Sequence, residues 1–245
     1  ISVMKIKSII LVFLAFFALP AFSQSGTIVE RTFACSLIGG YTIQDAVSVM
    51  RAFEWDEDFA PGFVAVREAA YGSTSFREDW DFVVNLYYPS MADLTEKRLA
   101  FRARTGGSQG YDLTDVARCS NAPRLNSVNF VPGQASGDDP EETTVQISTI
   151  CDRNGTPLSG VVSAAENIAN LMGPNLRNVQ IVNRQFGGPT QTMGSQVGYR
   201  LTFNTPDGFA TAMDTLRTNQ PEQAGGLSCN VPSAWLIHRV YSRNN

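Results

Sequence analysis

Histidine is almost missing from this chain of 245 residues: His238 is the only one. Zinc-type sites draw on several His or Cys at fixed spacing, and with four Cys and no CxxC pair such a ligand set is poorly supplied, so no metal site is expected. Ser-His-Asp hydrolysis would have to use His238 as its base, the one histidine available. There is no CxxCH for haem attachment, and no cofactor is called for. Neither a GxGxxG nor a Walker frame occurs. Gly39-Gly40, before a helix start, is a weak substitute for a phosphate-binding loop. A basic excess is also lacking: Lys and Arg number 19 against 23 Asp and Glu, a net charge of −4, which argues against nucleic acid or anionic membrane as partner.

Long apolar runs are scarce as well. The longest, Ile9 to Leu19, is about 11 residues where a bilayer span needs roughly 20. It follows Lys5 and Lys7 and precedes Pro20, Ala21 and Ser23, the pattern of a secretory signal peptide over residues 1–23, cut after Ser23. Its removal takes away two lysines and no acid, so the expected mature charge is −6. The expectation is an exported protein, periplasmic or extracellular, with no integral membrane segment after cleavage. In that compartment four Cys read as disulfides.

The Cys fall in two pairs at similar separation, Cys35 with Cys119 (84 residues) and Cys151 with Cys229 (78 residues). Each pair brackets the same order of elements. In the first half, Thr27–Leu37 alternates as a strand, Thr42 and Asp45 form a capping-box pattern ahead of a helix over 43–55, and Phe63–Tyr71 and 80–87 read as strands. A helix over 91–104 capped by Ser90 and a strand over 126–131 follow. In the second half, a strand over 144–151, a helix from Ser159, strands over 179–186 and 197–203, a helix opened by Thr205-Pro206-Asp207 and a strand over 234–241 repeat that order. Residues 132–142, rich in Gly, Pro and acids, read as a linker between repeats spanning 27–131 and 143–243.

Each half is thus β-α-β-β-α-β, the ferredoxin-like order of an α+β protein with antiparallel sheets. In that topology the last strand lies beside the first. The end of strand one then meets the start of strand four, which favours Cys35–Cys119 and Cys151–Cys229 bridges, the two other connectivities remaining open. Asp56, Glu57 and Asp58 lack calcium-loop spacing and read as a solvated turn. Asn154-Gly155-Thr156 fits a glycosylation sequon, with Pro157 against its use.

A ferredoxin-like sheet carries helices on one face, leaving the other to be solvated or covered. Along 197–203, Val197, Tyr199, Leu201 and Phe203 make an apolar stripe, with Gly198, Arg200 and Thr202 on the alternate face. Asn85, Tyr87, Arg184 and His238 are singled out by similar alternation. The element order resembles the dimeric α+β barrel superfamily, in which two ferredoxin-like units close sheet to sheet; here the two would be fused. The resemblance covers both halves and implies that the polar positions line an enclosed space, with cofactor-free monooxygenases, small-molecule binders and haem proteins as the superfamily's range. Three functions follow as expectations. The leading one is a non-catalytic exported protein binding a small polar or anionic molecule, or an envelope protein, through Arg184, Arg200, His238, Asn85 and Tyr87. A second is a cofactor-free oxygenase or isomerase using His238 with Arg200; the third is an interaction or assembly module.

Overall fold

The computed structural model describes residues 27–72, 80–106, 111–135, 143–187, 194–219 and 226–243. The expected leader, 1–23, and most of the expected linker, 132–142, lie outside them. No described helix is long and apolar enough to cross a membrane.

The first half runs β1 (Thr27–Leu37), α1 (Ile43–Ala52), β2 (Phe63–Tyr71), β3 (Phe82–Tyr88), α2 (Met91–Thr105), a short β4 (Ala117–Cys119) and β5 (Arg124–Pro132). The second repeats it: β6 (Thr143–Asp152), α3 (Leu158–Met172), β7 (Leu176–Phe186), β8 (Gln196–Phe203), α4 (Pro206–Thr218), a short β9 (Ser228–Cys229) and β10 (Ser233–Ser242). Local chemistry sets the helix starts. Thr42 and Asp45 exchange hydrogen bonds as a full capping box, and these bonds hold the Asp45 carboxyl below its usual range. Ser90 and Thr205 accept from the backbone N–H of Asp93 and Gly208.

Spatial order is β5-β1-β3-β2 in the first half and β10-β6-β8-β7 in the second, the ferredoxin-like arrangement in both. All pairings are antiparallel. The fourth strand of each repeat then pairs with the second strand of the other, β5 with β7 and β10 with β2, so eight strands close into a barrel with no free edge between the repeats. Both disulfides join directly paired residues, Cys35–Cys119 across β1 and β4 and Cys151–Cys229 across β6 and β9.

Alternation along each strand sends one set of side chains outward to the helices and the other into the barrel. Val29, Phe33, Val64, Val66, Phe82, Val84 and Leu86 meet α1 and α2 in one core. Ile147, Val179, Ile181, Val197, Tyr199, Leu201 and Phe203 meet α3 and α4 in a second. Inside the barrel, Ile28, Tyr87, Val128 and Val182 form a third, smaller apolar cluster, with Phe63 and Phe130 against it.

Candidate functional site in the barrel interior

The alternate strand positions place an unusual amount of polarity inside. Glu30 on β1 is fully buried, and Arg200 on β8 reaches across from the other repeat to donate from Nη1 to its Oε1 at 2.7 Å. Asn126 Nδ2 donates to Glu30 Oε2 at 2.9 Å. Burial alone would raise the Glu30 carboxyl, yet the charge and hydrogen bonds of Arg200, with Arg67 and Asn126 adding to them, hold it below the usual range. Tyr87, beside Glu30 on β3, is pushed up by burial and by that carboxylate, so its phenol stays protonated.

Arg67 on β2 is 5% exposed and makes no ion pair with a carboxylate among the described residues; its Nε and Nη2 are buried without a hydrogen bond to them. Its guanidinium lies 4.5 Å over the ring of Trp235, which in turn stacks on Trp80 at 5.7 Å. Burial, then the nearby Arg200 charge, brings Arg67 down to about 9, still cationic at neutral pH. Arg184 on β7 pairs in register with Asn126 and is depressed by burial and by Arg124 and Arg200. Of the buried charged residues on the inward faces of the described strands, Glu30 is the acid and Arg67 and Arg200 are the bases, with half-buried Arg184 on the same face. The interior is therefore electropositive.

It is also under-bonded. Besides the two Arg67 atoms, Arg184 Nε and the amide oxygens of Asn85, Asn126, Gln146, Asn178 and Gln180 are buried with no partner in the protein. Buried polar atoms are nearly always paired, with protein or with ordered water, so these inward-facing atoms call for water or another small polar partner.

Four of the five expected site residues come together here. Arg200, Asn85 and Tyr87 are buried in the interior, and half-buried Arg184 faces it. His238 does not. On β10 the inward set is Trp235 and Ile237, paired with Gln146 and Thr144, while His238 pairs with Val66 and Thr143 on the helix side of the wall. There its Nδ1 meets Thr143 Oγ1 and its Nε2 meets Glu68 Oε2, each at 3.1 Å. The physical reason is that the apolar face of β10 closes against Trp80 and Arg67 inside the barrel rather than against a helix. His238 and Arg200 therefore lie on opposite faces of the wall and share no site. Glu30, Arg67 and Asn126 were missed from sequence. Glu30 stands out between Val29 and Arg31 on an apolar strand, and that lone acid was the available signal.

Elsewhere, Asp56 pairs with Arg104 at 2.6 Å and accepts from the Asp58 backbone N–H, a solvated turn as expected. No cluster of three or more metal-ligating side chains occurs among the described residues. A surface concavity of about 330 Å³ lies at the loops after β6 and before β8, lined by Asp152, Arg153 and Gly194 among others. Arg153 is engaged by the carbonyls of Thr156 and Gly194, and none of the interior residues contributes to this concavity.

No family model matches the chain, and no curated protein matches its sequence. Solved structures do match. A provisionally assigned monooxygenase from Fusobacterium nucleatum subsp. nucleatum is 7% identical with a TM-score of 0.51, covering 89% of this chain and 94% of its own. Another from Lactobacillus acidophilus is 5% identical with a TM-score of 0.51, covering 88% and 95%. A provisionally assigned chlorite dismutase gives 11%, a TM-score of 0.47, and 88% and 95%. At such identities the first two show the fold alone: a closed α+β barrel made of two ferredoxin-like repeats in one chain.

Proposed function

We propose that the barrel interior binds a small organic anion and serves an oxygenase-type reaction on it, in preference to storage or transport alone. The observation that carries the reading is Arg67, a buried cation with two unpartnered N–H groups on the inward face of the barrel wall, the face that also carries Arg184 and Arg200. Such a set of cations stabilises the ionised form of an acidic phenol or enol, lowering its pKa without a strong base on the protein. That electron-rich anion is the form able to give an electron to O2. A carbon–oxygen bond then forms, and the resulting peroxide loses water to leave a carbonyl. The fold's likeness to two provisionally assigned monooxygenases supports this direction. His238 has no part in it.

The test is oxygen uptake by the purified protein with a panel of enolisable aryl ketones and phenols, run beside the Arg67→Met variant. Uptake above the uncatalysed rate, reduced at least tenfold in the variant, is the expected result. Binding without uptake would replace the oxygenase reading with non-catalytic ligand binding in the same chamber, and neither binding nor uptake would remove both.

A further inference from the structure

Independently of the barrel interior, we infer that Thr143, His238 and Glu68 form a nucleophile relay on the outer wall, able to take an acyl group from an activated ester and pass it to water. The three side chains come from adjacent strands, β6, β10 and β2, at the seam where the second repeat meets the first. They lie in line: Thr143 Oγ1 is 3.1 Å from His238 Nδ1, and His238 Nε2 is 3.1 Å from Glu68 Oε2. Both distances are within the reach that proton transfer requires. The direction of the two bonds follows from the groups themselves. A carboxylate only accepts, so Nε2 carries the proton and donates to Glu68; in the neutral ring Nδ1 is then the acceptor, and the Thr143 hydroxyl donates to it. A hydroxyl donating to an imidazole whose far nitrogen is held by a carboxylate is the arrangement that makes an alcohol nucleophilic. It is also within reach of solvent, since Thr143 is half-buried and the Glu68 side chain is 33% exposed.

The duplication supplies an internal comparison. With the repeats aligned on Cys35 and Cys151, Thr27 holds the place of Thr143 at the opposite seam, Asn129 that of His238 and Asn183 that of Glu68. There Thr27 Oγ1 donates to Asn129 Oδ1, a bond that ties two strands and moves no proton. The hydroxyl is common to both seams, while a proton carrier and an acid to orient it occur at one. Fastening a seam needs neither. In the step inferred, Thr143 Oγ1 bonds to the acyl carbonyl carbon as its proton passes to His238 Nδ1. The bond from that carbon to the leaving oxygen then breaks, and the leaving oxygen takes the proton from Nδ1. Water repeats the sequence on the acyl-threonine, giving its proton to Nδ1 and releasing the acid, and Thr143 Oγ1 recovers its proton from the ring. Glu68 acts as a positioning residue, holding the ring and balancing the imidazolium. A half-buried hydroxyl admits only a small acyl group, and the relay serves the nucleophile more than the leaving group. The substrate class that fits is a short-chain aryl ester, whose phenolate leaves with little assistance.

The test follows release of 4-nitrophenolate from 4-nitrophenyl acetate by the full protein, and maps the acetyl group by mass spectrometry of peptides after an acid quench. Expected are turnover above the buffer rate and an acetyl group on Thr143. Thr143→Val keeps the shape and removes the hydroxyl, and should lower the rate about a hundredfold or more, as should His238→Gln. Thr143→Ser, which restores the hydroxyl, should keep the rate within about tenfold of wild type. Glu68→Gln should lower kcat about tenfold or more with KM unaltered, and Glu68→Asp should recover part of the loss. Thr27→Val, the same deletion at the opposite seam, should change nothing. Acetylation of lysine or tyrosine with Thr143 unmodified, or a rate unaltered by Thr143→Val, would overturn the inference. Equal losses in Thr27→Val and Thr143→Val would also overturn it, by making seam integrity the cause, and so would the absence of any turnover and acetylation. Should His238→Gln fail to fold, Thr143→Val, Thr143→Ser and Thr27→Val still decide the matter among themselves, because each is a near-isosteric change at the end of a strand.

Discussion

The Glu30–Arg200 pair is the costliest arrangement in the molecule to disturb on one side only. Both groups are desolvated, and their attraction with the Asn126 hydrogen bond compensates that burial. Arg200→Met leaves a bare carboxylate in the barrel and should cost about 3–5 kcal/mol of stability, whereas the double change Glu30→Met/Arg200→Met should recover most of it. Chemical denaturation of the four members of the cycle measures the coupling. The same carboxylate has a pH signature. Its folded value lies below the ordinary 4.5, so its contribution is fully present above the unfolded value and is lost as pH falls through the folded one. Melting temperature should therefore drop on acidification below about pH 4.5, and Glu30→Gln should flatten that limb; an unchanged limb would show that Glu30 is not ionised in the fold. At this scale the sequence was half legible. Alternation separated Arg200, Asn85, Tyr87 and Arg184 from their apolar neighbours, because a strand sorts its side chains by period two whatever the tertiary setting. It does not say which face of β10 is enclosed, and the structure sets His238 on the helix side, opposite Val66 and Thr143.

Elements were the most readable level, because helix starts depend on contacts three residues apart. Thr42, Ser90 and Thr205 all cap where their local patterns place them. The α1 helix stops at Ala52 and not at Trp55: Phe53 leaves helical geometry, and Trp55 Nε1 folds back to the Met50 carbonyl. Less readable was Gly133, which looks like an ordinary linker residue. It follows β5 at the seam with β7, where its N–H donates to Arg177 O at 2.8 Å. A Cβ there would sit 2.0 Å from the Leu176 carbonyl oxygen, closer than any relaxed contact allows. Gly133→Ala should destabilise the protein by about 2 kcal/mol or more through backbone displacement, while Gly39→Ala, whose Cβ meets nothing, should be near neutral. Comparison of their denaturation midpoints checks this. The two disulfides act at the same scale. Each closes a loop of about 80 residues, so reduction should remove about 4 kcal/mol per bridge in the chain-entropy model, read as a loss of melting temperature on adding reductant.

Closure of the barrel belongs to the whole molecule, and it explains both what the duplication preserved and what it changed. With Cys35 matched to Cys151, Glu30 on β1 corresponds to Gln146 on β6; their register partners Tyr87 and Asn126 correspond to Thr202 and Trp235. The outward faces stay apolar in both copies because each must cover two helices. The inward faces have diverged, so that one copy supplies the buried acid and the other supplies the arginine that neutralises it. Element order made the two sheets legible, but the seams between them were not, since strand pairing between distant parts of the chain leaves no local mark. The two seams and the Glu30–Arg200 bond give each half a strong requirement for the other. Alone, a half would expose the edges of its second and fourth strands and a solvated polar face, a template for aggregation. Residues 27–135 and 143–243 produced as separate chains in one oxidising compartment should therefore copurify as a 1:1 complex with the mass of the intact barrel, while either alone self-associates. Adding Glu30→Lys to the first half sets one buried cation against another, Arg200, across the joint and should abolish the pairing. Copurification undiminished by that charge reversal would mean that backbone pairing at the seams, without the buried ion pair, is what holds the repeats together.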